Sequence, residues 1–263
     1  MTSNHTAKIV FLDIETAPTL AWIWKRFKEN ISLDQVEKDG YILCACWKDI
    51  NSNKVYKASI PDTEKPTSDN DKEVVKKLWK VLDDADIIVA HNGKKFDIPT
   101  INARFIYWGL PPPSPYKVVD TLRVLKSKFR FPVNSLDGIC QHLNMGKKHS
   151  TSFKLWSSCI HGDKKAWKQM VDYCAHDVIL LNQLYNKFKG WIDRHPNVNL
   201  YNNNGISKPT CEKCGSHNMH SRGTCITTTQ TYKKYQCQDC GGWSRARTAE
   251  PTKTHKQNIL THI

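Results

Sequence analysis

Two sets of residues in this 263-residue chain are spaced for chemistry. The first is in Lys8-Ile9-Val10-Phe11-Leu12-Asp13-Ile14-Glu15-Thr16-Ala17-Pro18. Its apolar, partly β-branched start reads as a strand. Alternate strand residues point to one face, so Asp13 and Glu15 lie side by side. Two carboxylates at the end of a buried strand repel each other and lose hydration. A cation between them removes that cost, and oxygen-only ligation suits Mg²⁺ or Mn²⁺. A plain strand end with solvated acids, closed by Pro18, fits the same residues. The second set is Cys211-x-x-Cys214-Gly215 and Cys237-x-x-Cys240-Gly241, with 22 residues between the pairs. Each CxxC brings two thiolates onto one metal, and the following glycine permits a left-handed turn. Four thiolates make a closed, structural Zn²⁺ site. His217, His220 and Cys225 are alternative ligands, and the paired cysteines are the preferred set.

Three further positions extend the acidic set. In His91-Asn92-Gly93-Lys94-Lys95-Phe96-Asp97 a tight turn leads to an acid in the first turn of a helix. That acid could serve only the helix dipole, worth about 0.5 kcal/mol. In Tyr173-Cys174-Ala175-His176-Asp177 the tyrosine and the final acid are i and i+4, hence on one helix face. Alone, this pair reads as surface residues of an amphipathic helix.

Together these segments resemble the DEDD superfamily of 3′→5′ exonucleases, over about residues 8 to 192. The motifs are Asp13-x-Glu15, His91-Asn92-Gly93-x-x-Phe96-Asp97 and Tyr173-x-x-x-Asp177. The subtype is the one with tyrosine in the third motif, since the position five before Asp177 is Asp172 rather than histidine. Val119-Asp120-Thr121 and Asn134-Ser135-Leu136-Asp137 resemble secondary segments of the superfamily. The third motif is similar to that of polymerase proofreading domains, yet the chain looks like a stand-alone, phage-type exonuclease. The resemblance implies an RNase H-like fold and two Mg²⁺ or Mn²⁺ ions. It implies that Asp13, Glu15 and Asp177 hold one ion, that Asp13 bridges to a second, and that Asp97 reaches the second directly or through water. Tyr173 would orient the attacking water, and Thr16 and Asn92 would touch the terminal nucleotide. The chemistry also stands alone: two cations about 4 Å apart stabilise the attacking and leaving oxygens of a phosphodiester.

These residues need elements to hold them. Strands read at Tyr41–Ile50 and Lys54–Ile60, around a turn at Asn51-Ser52-Asn53, then at Asp86–Asn92 and Lys117–Asp120. Helices read at Asp71–Ala85, Phe96–Trp108, Asn134–Leu143 with an asparagine cap, and Lys164–Ile192. Ala21–Lys38 reads as loop and short helix, Pro61–Asn70 as loop, and Met145–Ile160 as irregular and basic. The fold class is α/β: an RNase H-like mixed five-stranded sheet flanked by helices, then a small β-rich zinc ribbon. The expected domains are 1–200 (exonuclease), 201–207 (linker), 208–250 (ribbon) and 251–263 (a disordered tail).

Lys and Arg number 39 against 25 Asp and Glu, a net charge of +14, which points to a polyanionic partner. From Lys208 onward nine basic residues face three acids. There Arg222, Tyr232, Lys233, Lys234, Tyr235, Trp243, Arg245 and Arg247 interleave rings with cations. Rings stack on bases and cations follow phosphates in single-stranded nucleic acid, while a small ribbon core would use the same rings. Lys233, Lys234, Trp243 and Arg245 are the candidate contacts. The expected partner is nucleic acid, single-stranded DNA before RNA, with a protein contact through the ribbon as the alternative. An inert, nucleic-acid-binding adaptor is the competing class. The scattered remaining cysteines fit a reducing compartment. The chain has neither an apolar leader nor a run of about 20 apolar residues, so a cytoplasmic protein without membrane contact is expected.

Overall fold

The computed structural model describes residues 6–146, 151–202, 206–250 and 257–260. Parts of the expected linker, of the expected tail and of the Met145–Ile160 stretch lie outside the described residues. The chain divides into two units: Lys8–Leu184, and the described residues of Met1–Ala7 with Tyr185–Ile263.

The first unit begins with β1 (Ile9–Thr16), β2 (Leu20–Ala21), β3 (Val36–Lys38), β4 (Ile42–Asp49) and β5 (Tyr56–Ser59). It continues with α1 (Lys72–Asp83), β6 (Ile87–Ala90), α2 (Asp97–Tyr107), β7 (Lys117–Asp120), α3 (Thr121–Lys128), α4 (Leu136–His142), α5 (Phe153–Ile160) and all but the last turn of α6 (Lys164–Phe188). One mixed sheet runs β5-β4-β1-β6-β7. β1 pairs antiparallel with β4 and parallel with β6, while β7 is parallel to β6. β1 is therefore central, and its apolar residues up to Leu12 are buried as in a strand covered on both faces. β4 and β6 are as apolar as β1 for the same reason.

Helix α1 buries Val74, Val75, Leu78 and Leu82, the i, i+3, i+4 stripe of its sequence. Just before it, the fully buried Asp71 accepts from Arg104 Nε (2.8 Å) and Nη2 (2.7 Å), Trp108 Nε1 (2.7 Å) and the Ile42 backbone N–H (2.9 Å). One carboxylate thus ties α2 to the entry of β4.

Three local expectations need correction, and one further helix stands where no element is expected. Ala21–Lys38 contains the short antiparallel pair β2–β3 and one 3₁₀ turn, because the Trp22 N–H reaches the Gln35 carbonyl. The segment after β7 is helix α3, capped by Asp120, whose side chain accepts from Arg123 N–H. The cap of α4 is Ser135, accepting from Gly138 N–H at 3.1 Å, in place of the asparagine. The stretch read as irregular contains α5, which buries Leu155 and Cys159.

The second unit holds β8 (Met219–Ile226), β9 (Thr231–Cys237) and β10 (Trp243–Arg245), a three-stranded sheet in the order β10-β9-β8. Among the described residues no helix is long and apolar enough to cross a membrane.

Candidate active site

β1 carries Asp13 and Glu15 to the end of the sheet, and the β1–β4 register shifts between Glu15 and Thr16. Such irregularities re-aim side chains at sheet ends. Helix α6 crosses this end, with the Cys46 Sγ on the Val171 carbonyl (3.7 Å) and the Cys174 Sγ on the Asp13 carbonyl (3.4 Å). Burial pushes the Cys174 thiol well up, which keeps it a donor. Asp177, one turn beyond Tyr173, is thereby carried to β1. One carboxylate oxygen each from Asp13, Glu15 and Asp177 lie within 4.8 Å of one another. Asp177 is 1% exposed. Tyr173 lies on the same face of α6, its ring packed edge-on against Trp156 from α5, centroids 6.2 Å apart.

Asp97 opens α2 and is not one of those three. It is 3% exposed, and its carboxyl lies near the backbone N–H of Ile14, the residue between Asp13 and Glu15. Burial pushes this carboxyl up to about 7, its own and the Ile14 N–H groups oppose the rise, and the nearby Asp120 adds to it.

The loop carrying Asn92 is organised by residues whose part the sequence did not make plain. Asp120 accepts from Asn92 N–H (3.1 Å) and Lys94 N–H (3.2 Å). Asn92 takes a left-handed φ of +67°. His91 bonds Thr121 Oγ1 through Nδ1 (2.9 Å) and donates from Nε2 to the Asn134 carbonyl (3.0 Å). The two secondary segments around Asp120 and Asn134 therefore serve as the loop's supports. Thr16 ends β1, half-buried.

The donors at the acidic site are carboxylate oxygens alone, three of them converging and a fourth carboxyl adjacent. This set fits a hard divalent cation such as Mg²⁺ or Mn²⁺. A carboxyl lifted like that of Asp97 is one that a cation's charge returns to the ionised form.

The four cysteines Cys211, Cys214, Cys237 and Cys240 present Sγ atoms within 4.8 Å of one another. Cys211 and Cys240 are 3.6 Å apart, and Cys214 and Cys237 are 3.7 Å apart. Gly215 and Gly241 take φ of +74° and +72°, and each N–H returns to the carbonyl of the first cysteine of its pair (2.9 and 3.0 Å). Hydrogen bonding from Cys214 draws the Cys211 thiol down to about 4, and burial pushes Cys240 up to about 11. An all-thiol tetrad of this kind fits structural Zn²⁺. His217, His220 and Cys225 are outside the tetrad, and His217 Nδ1 instead meets Thr210 Oγ1 at 3.0 Å.

The ribbon sheet divides the residues suggested for substrate contact. The register sets Trp243 opposite Gln236 and Arg245 opposite Lys234, so Tyr232, Lys234, Trp243 and Arg245 share one face. Arg245 stacks over Tyr232 at 3.9 Å and Lys234 lies 5.6 Å over Trp243, which is 48% exposed. Lys233 points to the other face and pairs with Glu250 at 3.3 Å.

A mixed five-stranded sheet with carboxylates gathered at the end of its central strand defines a class, and sequence comparison agrees with it. Residues 32–189 match the RNase_H superfamily, and the chain belongs to that superfamily. The matched span includes Asp97, Tyr173 and Asp177 and begins after β1. A curated relative, the DNA polymerase III PolC-type of Ureaplasma parvum serovar 3, is 30% identical over 161 residues. That match covers 60% of this chain and spans 9% of the relative's length. Among solved structures, the family B DNA polymerase from the hyperthermophilic archaeon Pyrobaculum calidifontis is similar with a TM-score of 0.48 and 15% identity. The likeness covers 69% of this chain and 24% of that one.

Proposed function

We propose that this chain is a metal-dependent 3′→5′ exonuclease that releases nucleoside 5′-monophosphates from single-stranded DNA. The observation that carries the reading is the meeting of Asp13 and Glu15 on β1 with Asp177 on α6, with the Asp97 carboxyl near the Ile14 N–H beside them. Membership of the RNase_H superfamily supports phosphodiester hydrolysis, and likeness to a DNA polymerase supports DNA as the polymer.

Asp13, Glu15, Asp97 and Asp177 would hold two divalent cations, which supply a water of lowered pKa and neutralise charge on the leaving oxygen. Tyr173 orients the attacking water through its hydroxyl without having to take its proton. Its ring is fixed for that task by Trp156. Asn92, from the loop after β6, and Thr16, at the end of β1, touch the terminal nucleotide. The ribbon, folded around Zn²⁺ on its four cysteines, adds grip through Lys234, Trp243 and Arg245.

A time course on matched 5′-labelled DNA and RNA strands, with Mg²⁺, Mn²⁺ or EDTA, tests this. A metal-dependent ladder shortening from the 3′ end, faster on DNA, is expected. Faster shortening of RNA would make the protein an exoribonuclease. Intact strands with a mobility shift would make it a binding adaptor.

A further inference from the structure

The segment between β2 and β3 is held by hydrogen bonds of its own. It is a folded lobe. The Trp22 N–H donates to the Gln35 carbonyl at 2.9 Å. The Glu29 carboxylate accepts from the backbone N–H groups of Trp24 (3.0 Å) and Lys25 (2.7 Å) and from the Gln35 amide (3.3 Å). Gln35 in turn accepts from Ser32 N–H and Oγ, both at 2.9 Å. The lobe nevertheless turns its largest apolar groups outward: Trp22 is 73% exposed, Phe27 82% and Trp24 92%. Exposed apolar surface gathered in one place marks an interaction site.

Charge identifies the partner. Lys25, Arg26 and Lys28 interleave the rings, and all three are exposed. The one acid among them, Glu29, is committed to backbone N–H groups. A surface that docks an uncharged apolar partner is served by the rings alone. Rings alternating with cations are the chemistry that recognises single-stranded nucleic acid, because every base has a π-face and every linkage a charge. The lobe also grows directly from β1. Trp24 is nine residues beyond Glu15, so chain length keeps it within about 30 Å of that acid. That reach is at most about nine nucleotides at the stacked-strand spacing of about 3.4 Å.

We propose that the Trp22–Leu33 lobe is a stacking platform for single-stranded nucleic acid, holding the bases that have yet to reach the acidic site. The platform rests on the nuclease reading for its purpose, and its binding can be measured without that activity. Strands longer than the reach engage it, and a mononucleotide ester does not.

The test uses the full, zinc-loaded chain and fluorescence anisotropy with a labelled single strand of about twelve nucleotides, with Ca²⁺ in place of Mg²⁺ so that cleavage is suppressed and the zinc is kept. Trp24→Ala and Phe27→Ala should each weaken Kd about tenfold, within the range of base–aromatic stacking. Trp24→Phe should restore most of the loss, because a ring remains. Ile106→Ala removes an 80% exposed apolar side chain from α2 and should leave Kd unchanged. With Mg²⁺, the ratio of kcat/KM on the strand to that on a mononucleotide ester should fall in the two alanine variants. An unchanged Kd in the Trp24→Ala/Phe27→Ala double variant would overturn the platform, even if the protein degrades the strand. So would a dimer of this chain that the double variant dissociates while strand binding persists. Ring-dependent binding by a protein that cleaves nothing would uphold the platform and defeat the nuclease reading instead.

Discussion

The thiol of Cys174 donates to the backbone carbonyl of Asp13 at 3.4 Å. This contact sets the distance between the two elements that carry the acids, since Asp177 follows Cys174 on α6 and Glu15 follows Asp13 on β1. Cys174 is fully buried, so a larger side chain must push α6 away from β1. Cys174→Leu should lower unfolding stability by about 1–3 kcal/mol and reduce cleavage more than Cys174→Ser, which keeps size and donor. Denaturant unfolding and initial rates at saturating metal check both. Equal rates in the two variants would mean that the spacing of α6 from β1 does not govern the site.

Glu15→Gln keeps the shape of the side chain and removes its charge. Cleavage should fall at least about a hundredfold, while the melting temperature stays near that of the parent protein and strand binding persists. Tyr173→Phe should slow cleavage by about ten- to a hundredfold without abolishing it, since orientation of the water is lost and its activation is not. Single-turnover rates separate the two. An undiminished rate in Tyr173→Phe would remove the tyrosine from the mechanism.

The elements that bear chemistry were legible because the chemistry constrains residue type. Asp13-x-Glu15 announces itself as a paradox within an apolar strand, and the two CxxC-Gly runs carry their geometry in their spacing. The central strands were legible because β1, β4 and β6 are apolar almost throughout, as strands covered on both faces must be. What escaped was set by partners distant in sequence. Nothing near Asp71 reveals that its carboxylate will be fully buried against Arg104 and Trp108, over 30 residues on. Asp120 reads as the end of a strand, yet it caps α3 and holds the loop of Asn92. β2 and β3 are too short to show alternation, so the lobe between them read as loop and helix. Helix α5 follows a basic, polar stretch, and its cap Ser152 makes no side-chain capping bond that would mark its start.

The Asp71 contacts predict a second kind of sensitivity. Arg104 is 14% exposed at its side chain and forms a two-pronged pair with a carboxylate of zero exposure. Removing the guanidinium strands that charge in the interior. Arg104→Met should therefore cost about 3–5 kcal/mol, measured as a lower denaturant midpoint with an unchanged slope. The double variant Asp71→Leu/Arg104→Met should recover much of the loss, because no charge is then left buried. A double variant as unstable as the single one would assign the effect to packing rather than to the stranded carboxylate.

The ribbon makes a prediction that turns on one glycine. Gly190, in a 3₁₀ turn after α6, lies so close to the second cysteine pair that a Cβ would collide with the Cys240 carbonyl oxygen. The Lys213 ammonium, on a residue 5% exposed, donates to the Gly190 carbonyl at 2.9 Å, so the same turn also braces the first pair. Gly190→Ala must move Cys240 or the turn, and either displacement disturbs the thiol tetrad. Zinc affinity should fall by about ten- to a hundredfold, the usual effect of disturbing the surroundings of metal ligands. Competition with a chromogenic chelator reads this directly. Lys213→Met, which removes the ammonium without a clash, should give a smaller loss. Small modules of this type need their metal to fold. Full removal of zinc should therefore abolish the slow amide exchange of β8 and β9, and zinc should restore it. Slow exchange that survives chelation would show that the ribbon sheet folds without its metal.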